Sequence, residues 1–246
     1  MGQEIISETF GGLPAVTSAE VRLLDQLAEE RYGLSLERLM ENAGKAAARE
    51  IENFSGLSPE KNITFACGRG LNGGDGLVIA RILKQKQFKV SVFICPPKKD
   101  SSYPDLVLTQ MEKAKASGVS ITAFSESRDF ALALKDSQLA VDAILGVGSS
   151  GKPTGCAHFM IQEIAREKKP VIAIDIPSGL NPDTGHHSGA FIAATETLTI
   201  GLPKRGLLYP HAQKNVGILK VLDIGYPPAL VQAILAMRDP KSGSKK

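Results

Sequence analysis

The sequence predicts an α/β protein with a Rossmann-like, three-layer architecture. In this fold a mostly parallel, doubly wound sheet carries helices on both faces, and here an N-terminal helical arm precedes it. From residue 62 onward, short β-branched runs alternate with helical stretches, and this alternation is typical of βαβ units with right-handed crossovers. The first of these runs leads into a glycine-rich turn and then a helix, as in folds that bind ligands beyond the carboxyl ends of parallel strands.

The helical arm is predicted from two stretches that precede the sheet. Thr17 and Glu20 form a capping box, which places a helix start there. Tyr32 and Gly33 are expected to end that helix, because glycine favours the left-handed conformation of a helix C-cap. A second helix is expected at about 35–53, where apolar residues recur on one face.

Strands and helices then alternate to the C-terminus. The strands are predicted near residues 62–67, 89–94, 120–124, 139–144, 171–175, 196–200 and 216–223. The helices are predicted near residues 76–87, 104–117, 126–136, 156–168 and 228–237. No repeat or linker interrupts this pattern, so we expect one domain over residues 1–246, with flexible ends at 1–14 and 238–246.

Composition indicates an ordinary globular protein of the cytoplasm. The 246 residues are 43% apolar and 22% charged, and the net charge of +3 is too small to indicate a nucleic-acid or membrane surface. No secretory signal or membrane-spanning stretch is evident. Cys67, Cys95 and Cys156 contain no CxxC pair, so we expect reduced, mostly buried thiols rather than a disulfide framework or a zinc site.

The first strand of the predicted sheet runs into a turn that satisfies the dinucleotide fingerprint at Gly68, Gly70 and Gly73. The fingerprint also needs an acid about 20 residues further on to hold a ribose, but no acid occurs there before Asp100. Asp75 is expected in the first helical turn, where its charge would cap N–H groups and oppose a pyrophosphate. The turn therefore either binds something other than the pyrophosphate of ordinary NAD or is merely a tight strand-to-helix connection.

Two further strands end in unusual loops. The strand that contains Asp142 runs into the small-residue loop 145–152, and the strand that ends at Asp175 runs into 176–180. Considered alone, the position of Asp142 or of Asp175 is explained by a helix cap or by a hydrogen bond within its loop. In a strand order near 3-2-1-4-5, however, all three loops lie at one edge of the sheet, which predicts a functional site there.

Three of these side chains have the chemistry of a cation site. Asn72, Asp142 and Ser178 offer hard oxygen donors, which suit a monovalent or other hard cation better than zinc. The tandem pair His186 and His187 lies in a turn-rich segment, where a solvated loop is the better interpretation.

Together the motifs resemble the N-terminal domain of the YjeF proteins, whose enzymatic members are NAD(P)H-hydrate epimerases. The resemblance spans residues 16–227 and rests on five motifs in one order: Leu39-Met40-Glu41-Asn42-Ala43-Gly44, Asn72-Gly73-Gly74-Asp75-Gly76, Val141-Asp142-Ala143-Ile144-Leu145-Gly146-Val147-Gly148, Asp175-Ile176-Pro177-Ser178-Gly179 and Leu202-Pro203-Lys204-x-Gly206.

The resemblance implies an enzyme that interconverts the R and S forms of hydrated NADH or NADPH. It implies a homodimer with one K⁺ per subunit, held by Asn72, Asp142 and Ser178, and a separate ADP- or ATP-dependent NAD(P)H-hydrate dehydratase that acts on the S form. The substrate is expected to contact Leu71, Asn72, Gly73, Gly74, Asp75, Gly146, Val147, Gly148, Ser149, Ser150, Gly151, Lys152 and Asp175.

Asp175 is the expected proton-transfer group, with Asp75 as a second candidate and Lys204 as a partner of a phosphate or an acid. One position departs from the family, because its glycine loop usually begins with two asparagines and here the first is Leu71. Two other interpretations remain at this point. One is a non-enzymatic dimerisation module like that of messenger-RNA decapping scaffolds, and the other is a conventional NAD-dependent dehydrogenase.

Overall fold

The computed structural model describes residues 8–125, 127–149, 151–187 and 189–238. Residues 9–14, which we expected to belong to a flexible end, instead form a small antiparallel hairpin of two strands, β1 (Thr9–Phe10) and β2 (Leu13–Pro14). Residues 1–7 and 239–246 lie outside the described residues, so the expectation of flexible ends there stays a prediction. Arg238, which we expected in the flexible end, contacts Glu20 at 2.5 Å.

The helical arm has the predicted caps. The first helix, α1 (Ser18–Tyr32), begins with the Thr17 and Glu20 capping box and ends at Gly33, whose φ is 63°. The second, α2 (Leu36–Glu52), is capped by the Ser35 side chain.

Seven parallel strands form the central sheet. They are β3 (Asn62–Cys67), β4 (Lys89–Ile94), β5 (Ser120–Ala123), β6 (Ser137–Ala143), β7 (Val171–Ile174), β8 (Glu196–Ile200) and β9 (Ile218–Leu222). Their order is β5-β4-β3-β6-β7-β8-β9, so the chain reverses its direction of winding between β3 and β6. This switch point opens a crevice at the carboxyl ends of the strands, as the sequence predicted.

Helices cover both faces of the sheet and complete three layers. They are α3 (Leu71–Gln85), α4 (Asp105–Ala116), α5 (Ser127–Asp136), α6 (Gly155–Glu167), α7 (Gln213–Val216) and α8 (Pro228–Ala236). Side chains of α2, α3 and α4 pack on one face around Phe65, and those of α5 and α6 pack on the other around Phe93. A third cluster joins α1 to α8 through residues such as Leu24 and Ile234. Among the described helices, none is both long and apolar enough to span a bilayer.

The helix after β3 begins five residues earlier than predicted. We expected glycines to form a turn up to Gly76, because glycine disfavours helix interiors. Instead the glycines lie inside α3, where bare backbone is needed for packing: a Cβ at Gly73 would lie 1.9 Å from the carbonyl oxygen of Gly68. Asp75 is therefore the fifth helical residue, and the prediction that it caps the first turn is wrong.

The prediction of reduced thiols is wrong for two of the three cysteines. Cys95 and Cys156 form a disulfide with Cα atoms 5.7 Å apart. Cys95 follows β4 and Cys156 lies in the first turn of α6, and 61 positions separate the two in sequence. Sequence spacing could not reveal this pairing, because only the fold brings these element ends together. Cys67 is a buried free thiol, as expected.

Two neighbouring loops of the crevice approach each other so closely that Gly68 tolerates no side chain. A Cβ there would lie 1.8 Å from the carbonyl oxygen of Ile144, whereas a Cβ at Gly148 would meet nothing within 4 Å. We expect Gly68→Ala to lower the free energy of unfolding by about 3 kcal/mol, because backbone must move to relieve the overlap. Gly148→Ala, the matched control, should change it by less than about 1 kcal/mol. Urea denaturation measures both values, and equal losses would contradict the packing argument.

Candidate active site

A cavity of about 630 Å³ occupies the crevice at the switch point. Its walls come from the loops after β3 and β6, from α1 and α2, and from the segments that follow β8 and β9. The charged side chains at its inner end include Asp75, Asp175 and Lys204. The residues of α2 that line it are all apolar, namely Leu36, Leu39, Met40 and Ala43.

Asp175 and Lys204 form a buried ion pair at the inner end. Lys204 Nζ lies 2.5 Å from Asp175 Oδ1, and both side chains are more than nine-tenths buried. The second carboxylate oxygen of Asp175 accepts the N–H of Val147 at 2.9 Å, and Lys204 also donates to the carbonyl of Ile200 at 2.5 Å. Both carboxylate oxygens of Asp175 thus face a cation or a donor, as the burial of an ion pair requires.

The backbone at both residues is fixed by its neighbours. Asp175 follows β7 with φ at +68°, a left-handed conformation that aspartate tolerates better than most residues. Its N–H bonds the carbonyl of Leu198 at 2.8 Å. Lys204 pairs with Val16 in an isolated parallel bridge, so the stretch before α1 holds the lysine in place.

Asp75 is a buried carboxyl group in a different environment. It projects from α3 into the same cavity. Burial raises the pKa of Asp75 well above its ordinary value, the charges of Asp175 and Asp25 raise it further, and Lys204 partly opposes them. Asp75 and Asp175 thus lie in one cavity, where the pKa of Asp75 is raised and Asp175 is paired with Lys204. This difference suits one acid to donate a proton and the other to accept one.

Asp142 and Ser178 lie behind the wall of the cavity rather than on its surface. Asp142 is fully buried, and its oxygens accept the Ser178 hydroxyl at 2.6 Å and the Ser178 N–H at 2.8 Å. Burial raises the pKa of Asp142 to about 6, although the bonds from Ser178 and from the N–H of Ile144 oppose that rise. No cation pairs with this carboxylate within the described part of the chain.

Asn72 carries an unsatisfied oxygen. Its side chain is buried, and its Nδ2 donates to the carbonyl of Ile174 at 3.3 Å. Its Oδ1 has no hydrogen-bond partner, and a buried unpaired oxygen destabilises a fold unless a ligand satisfies it. Asn72 lines the cavity, and Gly146 passes so close that a Cβ there would lie 3.0 Å from the Asn72 Cβ.

The mouth of the cavity is positively charged. The N-terminus of α3 opens onto the cavity, and its cap residue, Gly70, supplies no side-chain hydrogen bond. Four cationic residues lie around the cavity: Arg22, Arg69, Lys98 and Lys152. None of the four forms an ion pair with the residues that the structure describes. Free N–H groups, a helix dipole and unpaired cations together favour a polyanionic ligand such as a phosphate.

The cavity includes most, but not all, of the residues predicted for the site. Those that line it are Leu71, Asn72, Asp75, Gly146, Val147, Gly148, Ser149, Gly151, Lys152, Asp175 and Lys204. Gly73 and Gly74 are instead buried within the packing of α3. Ser150 lies outside the described residues. Leu71 is 44% exposed, so its side chain is not buried against the inner acids.

Two residues of the inner cavity were missed by sequence reasoning, namely Asp25 and Tyr226. Asp25 lies four residues after Val21 and three before Ala28, in the buried stripe of α1. An acid within an apolar stripe is the signal that could have found it.

The predicted loop at 186–187 has the expected surface character. His186 and His187 are exposed, and their rings pack on His211 and Phe191 at centroid distances of 4.1 and 3.8 Å. No group of three or more His, Cys, Asp or Glu side chains suited to a metal occurs among the described residues.

Two of the similar proteins have names that refer to NAD(P)H hydrates. A protein of Elusimicrobium minutum named NAD(P)H-hydrate epimerase is 36% identical over 224 residues, which are 90% of this chain and 100% of that protein. A bifunctional NAD(P)H-hydrate repair enzyme of Moorella thermoacetica is 39% identical, and the match covers 88% of this chain but 41% of that enzyme. The chain thus spans about two-fifths of the bifunctional relative.

A solved structure and a family match agree with these relatives. The crystal structure of the yeast protein ynu0 superposes with a TM-score of 0.79 at 23% identity, over 90% of this chain and 93% of that one, and this likeness concerns the fold. Residues 36–206 match the family described as YjeF-related protein N-terminus. The chain therefore belongs to the YjeF-related N-terminal family.

Proposed function

We propose that this chain is an NAD(P)H-hydrate epimerase, an isomerase that interconverts the R and S forms of hydrated NADH and NADPH. The observation that carries the proposal is the pair of unlike carboxyl groups, Asp75 and Asp175, in one cavity at the switch point. Relatives that bear this name cover nearly the whole chain. No observation favours the non-enzymatic module, since the buried acids and Lys204 are all present.

The charge distribution of the cavity suits one orientation of the substrate. The pyrophosphate is placed at the N-terminus of α3, near Arg69 and Lys152, where N–H groups and cations favour its charge. The hydrated nicotinamide ring then lies at the inner end, beside Asp75 and Asp175.

Inversion requires a proton donor and a proton acceptor. In the proposed route, the carboxyl group of Asp75 protonates the hydroxyl on the ring carbon, the C–O bond breaks, and the ring nitrogen supplies the electron pair that stabilises the cation. Water then adds to the other face while Asp175 takes its proton. The reverse reaction begins with the proton on Asp175, so the two acids share one transferable proton.

Asn72, Asp142 and Ser178 fit a bound K⁺. The unsatisfied Oδ1 of Asn72 and the uncompensated carboxylate of Asp142 are oxygens of the kind that a hard cation prefers. The ion would supply a fixed positive charge next to these oxygen atoms. Asp142 and Ser178 also tie the ends of β6 and β7 together, because the N–H of Leu145 donates to Ser178 Oγ at 2.9 Å.

Two partners belong to the same proposal. A dehydratase acting on the S form would consume the product, since bifunctional relatives carry the repair activity in a longer chain. A homodimer is the proposed assembly, and the cytoplasm is the proposed location.

The direct test follows the equilibration of isolated R-form NADPH hydrate with purified protein in potassium buffer, coupled to an S-specific dehydratase. We expect a rate well above the spontaneous one, which would also show that Leu71 is compatible with activity. A folded protein that leaves the spontaneous rate unchanged would contradict the epimerase proposal.

Removing the charge of Asp175 should abolish most of the activity. Asp175→Asn keeps the size of the side chain and tolerates the positive φ, but leaves Lys204 unpaired and removes a proton acceptor. We expect kcat to fall about 10²- to 10⁴-fold. The matched control is Asp100→Asn, because Asp100 is exposed and also has a positive φ, of 60°. Full activity of Asp175→Asn would remove this residue from the mechanism.

Potassium should stabilise the fold through Asn72. Replacing choline chloride by KCl at constant ionic strength is expected to add about 1.4–2.7 kcal/mol when K⁺ exceeds its dissociation constant ten- to a hundredfold. Thermal unfolding measures this gain. Asn72→Ala should abolish the gain, whereas Asn42→Ala, whose amide likewise donates to a backbone carbonyl, should retain it. A gain that survives in Asn72→Ala would place the ion elsewhere.

A further inference from the structure

Asp25 and Tyr226 form a hydrogen-bonded pair in the cavity that the proposed chemistry does not use. The Tyr226 hydroxyl donates to Asp25 Oδ1. Asp25 comes from α1 and Tyr226 from the segment after β9, and both line the inner cavity. A polar pair contributed by two distant parts of the chain requires an explanation, because burying it carries a desolvation penalty.

The fold fixes the position of both side chains. The ring of Tyr226 lies so close to Gly201, whose φ is +74°, that a Cβ there would be 2.6 Å from the ring carbon Cε2. Asn42 holds the neighbouring backbone by donating to the carbonyl of Ile224 at 2.9 Å. The start of α1 is fixed too, because Ser18 donates twice to the Asp183 carboxylate, at 2.6 and 2.7 Å.

Charge balance gives the pair its role. Three carboxyl groups, on Asp25, Asp75 and Asp175, share the cavity with Lys204, which is the one buried cation among the described residues that line it. In a cavity of low polarity, three negative charges against one positive charge are unfavourable, so one carboxyl group retains a proton. Three other titratable or charged groups lie near the pair and Asp75, namely the Tyr226 hydroxyl itself, Arg22 on α1 and the buried thiol of Cys67.

The pair and the two proposed catalytic acids influence one another. Burial raises the pKa of Asp25, the Tyr226 hydroxyl and Lys204 lower it, and Asp175 raises it slightly. Asp25 in turn raises the pKa of Asp75. Asp75 itself has no described side-chain hydrogen bond that would select its protonation state, so burial and then the neighbouring charges of Asp175 and Asp25 favour its protonated form.

We propose that Asp25 and Tyr226 are positioning residues, in which the tyrosine hydroxyl favours the ionised form of Asp25 and the negative charge of Asp25 helps to hold the transferable proton on Asp75. This inference rests on the proposed epimerase function. Asp25 acts through Asp75 and transfers no proton to the substrate. Tyr226 acts one step further away, through Asp25.

The kinetic test compares pH profiles of Asp25→Asn and Tyr226→Phe with that of the unmodified protein. Removing the Asp25 charge lowers the pKa of Asp75, so the alkaline limb of kcat moves to lower pH. Tyr226→Phe leaves Asp25 more often neutral and should move the limb in the same direction. We expect kcat to fall about tenfold at pH 8.5 and less than about threefold at pH 6. Asp183→Asn, which alters the α1 anchor but not the charge of the cavity, should leave the limb in place.

A second measurement reads the same coupling without turnover. The ¹³C carboxyl resonance of Asp75 should titrate at lower pH in both variants than in the unmodified protein. If a variant loses the same fraction of its activity at every pH and the titration of Asp75 is unchanged, the inference is overturned. Asp25 and Tyr226 would then have a purely structural role. An unmodified protein without epimerase activity would overturn the proposed function alone, because the Asp75 titration still tests the coupling.

Discussion

The buried ion pair between Asp175 and Lys204 is the interaction on which the rest of the site depends. Forming it requires two desolvated charges in good geometry, since each ion loses its water on burial. The fold provides this geometry by joining β7 to β8 and by pairing Val16 with Lys204. The ion pair therefore couples the N-terminal segment, the sheet edge and the cavity, and removing either charge would leave the other uncompensated.

A second constraint is the close approach of two backbones at the switch point. Gly68 and Gly73 permit contacts that any side chain would prevent, and these contacts bring the start of α3 beside the loop after β6. As a result, the N-terminus of α3 and the inner acids belong to one cavity. Close packing transmits such constraints, because neither loop can move without the other.

The sequence predicted the sheet well and the details of the site less well. All seven strands follow from short β-branched runs, and the expected order near 3-2-1-4-5 matches the first five strands of the sheet; the places of β8 and β9 were not predicted. The start of α3 was missed because helix propensity argues against glycines, whereas their role here is tertiary packing. The Cys95 and Cys156 disulfide and the contribution of Asp25 were missed for the same kind of reason: each depends on elements that are distant in sequence. Asp142 and Asp175 were found because an acid that ends an apolar strand is a local anomaly.

The distribution of charge explains why a fold with the dinucleotide fingerprint has no ordinary dinucleotide site. An acid that binds a ribose would lie after β4, but here that position leads to Cys95, whose disulfide reaches the first turn of α6. Positive charge surrounds the mouth and negative charge fills the inner end, so a dinucleotide would be held by its phosphates and would present its ring to carboxyl groups. A site that inverts a hydroxylated carbon needs a proton donor and a proton acceptor, and this cavity holds the buried carboxyl group of Asp75 beside the ion-paired carboxylate of Asp175.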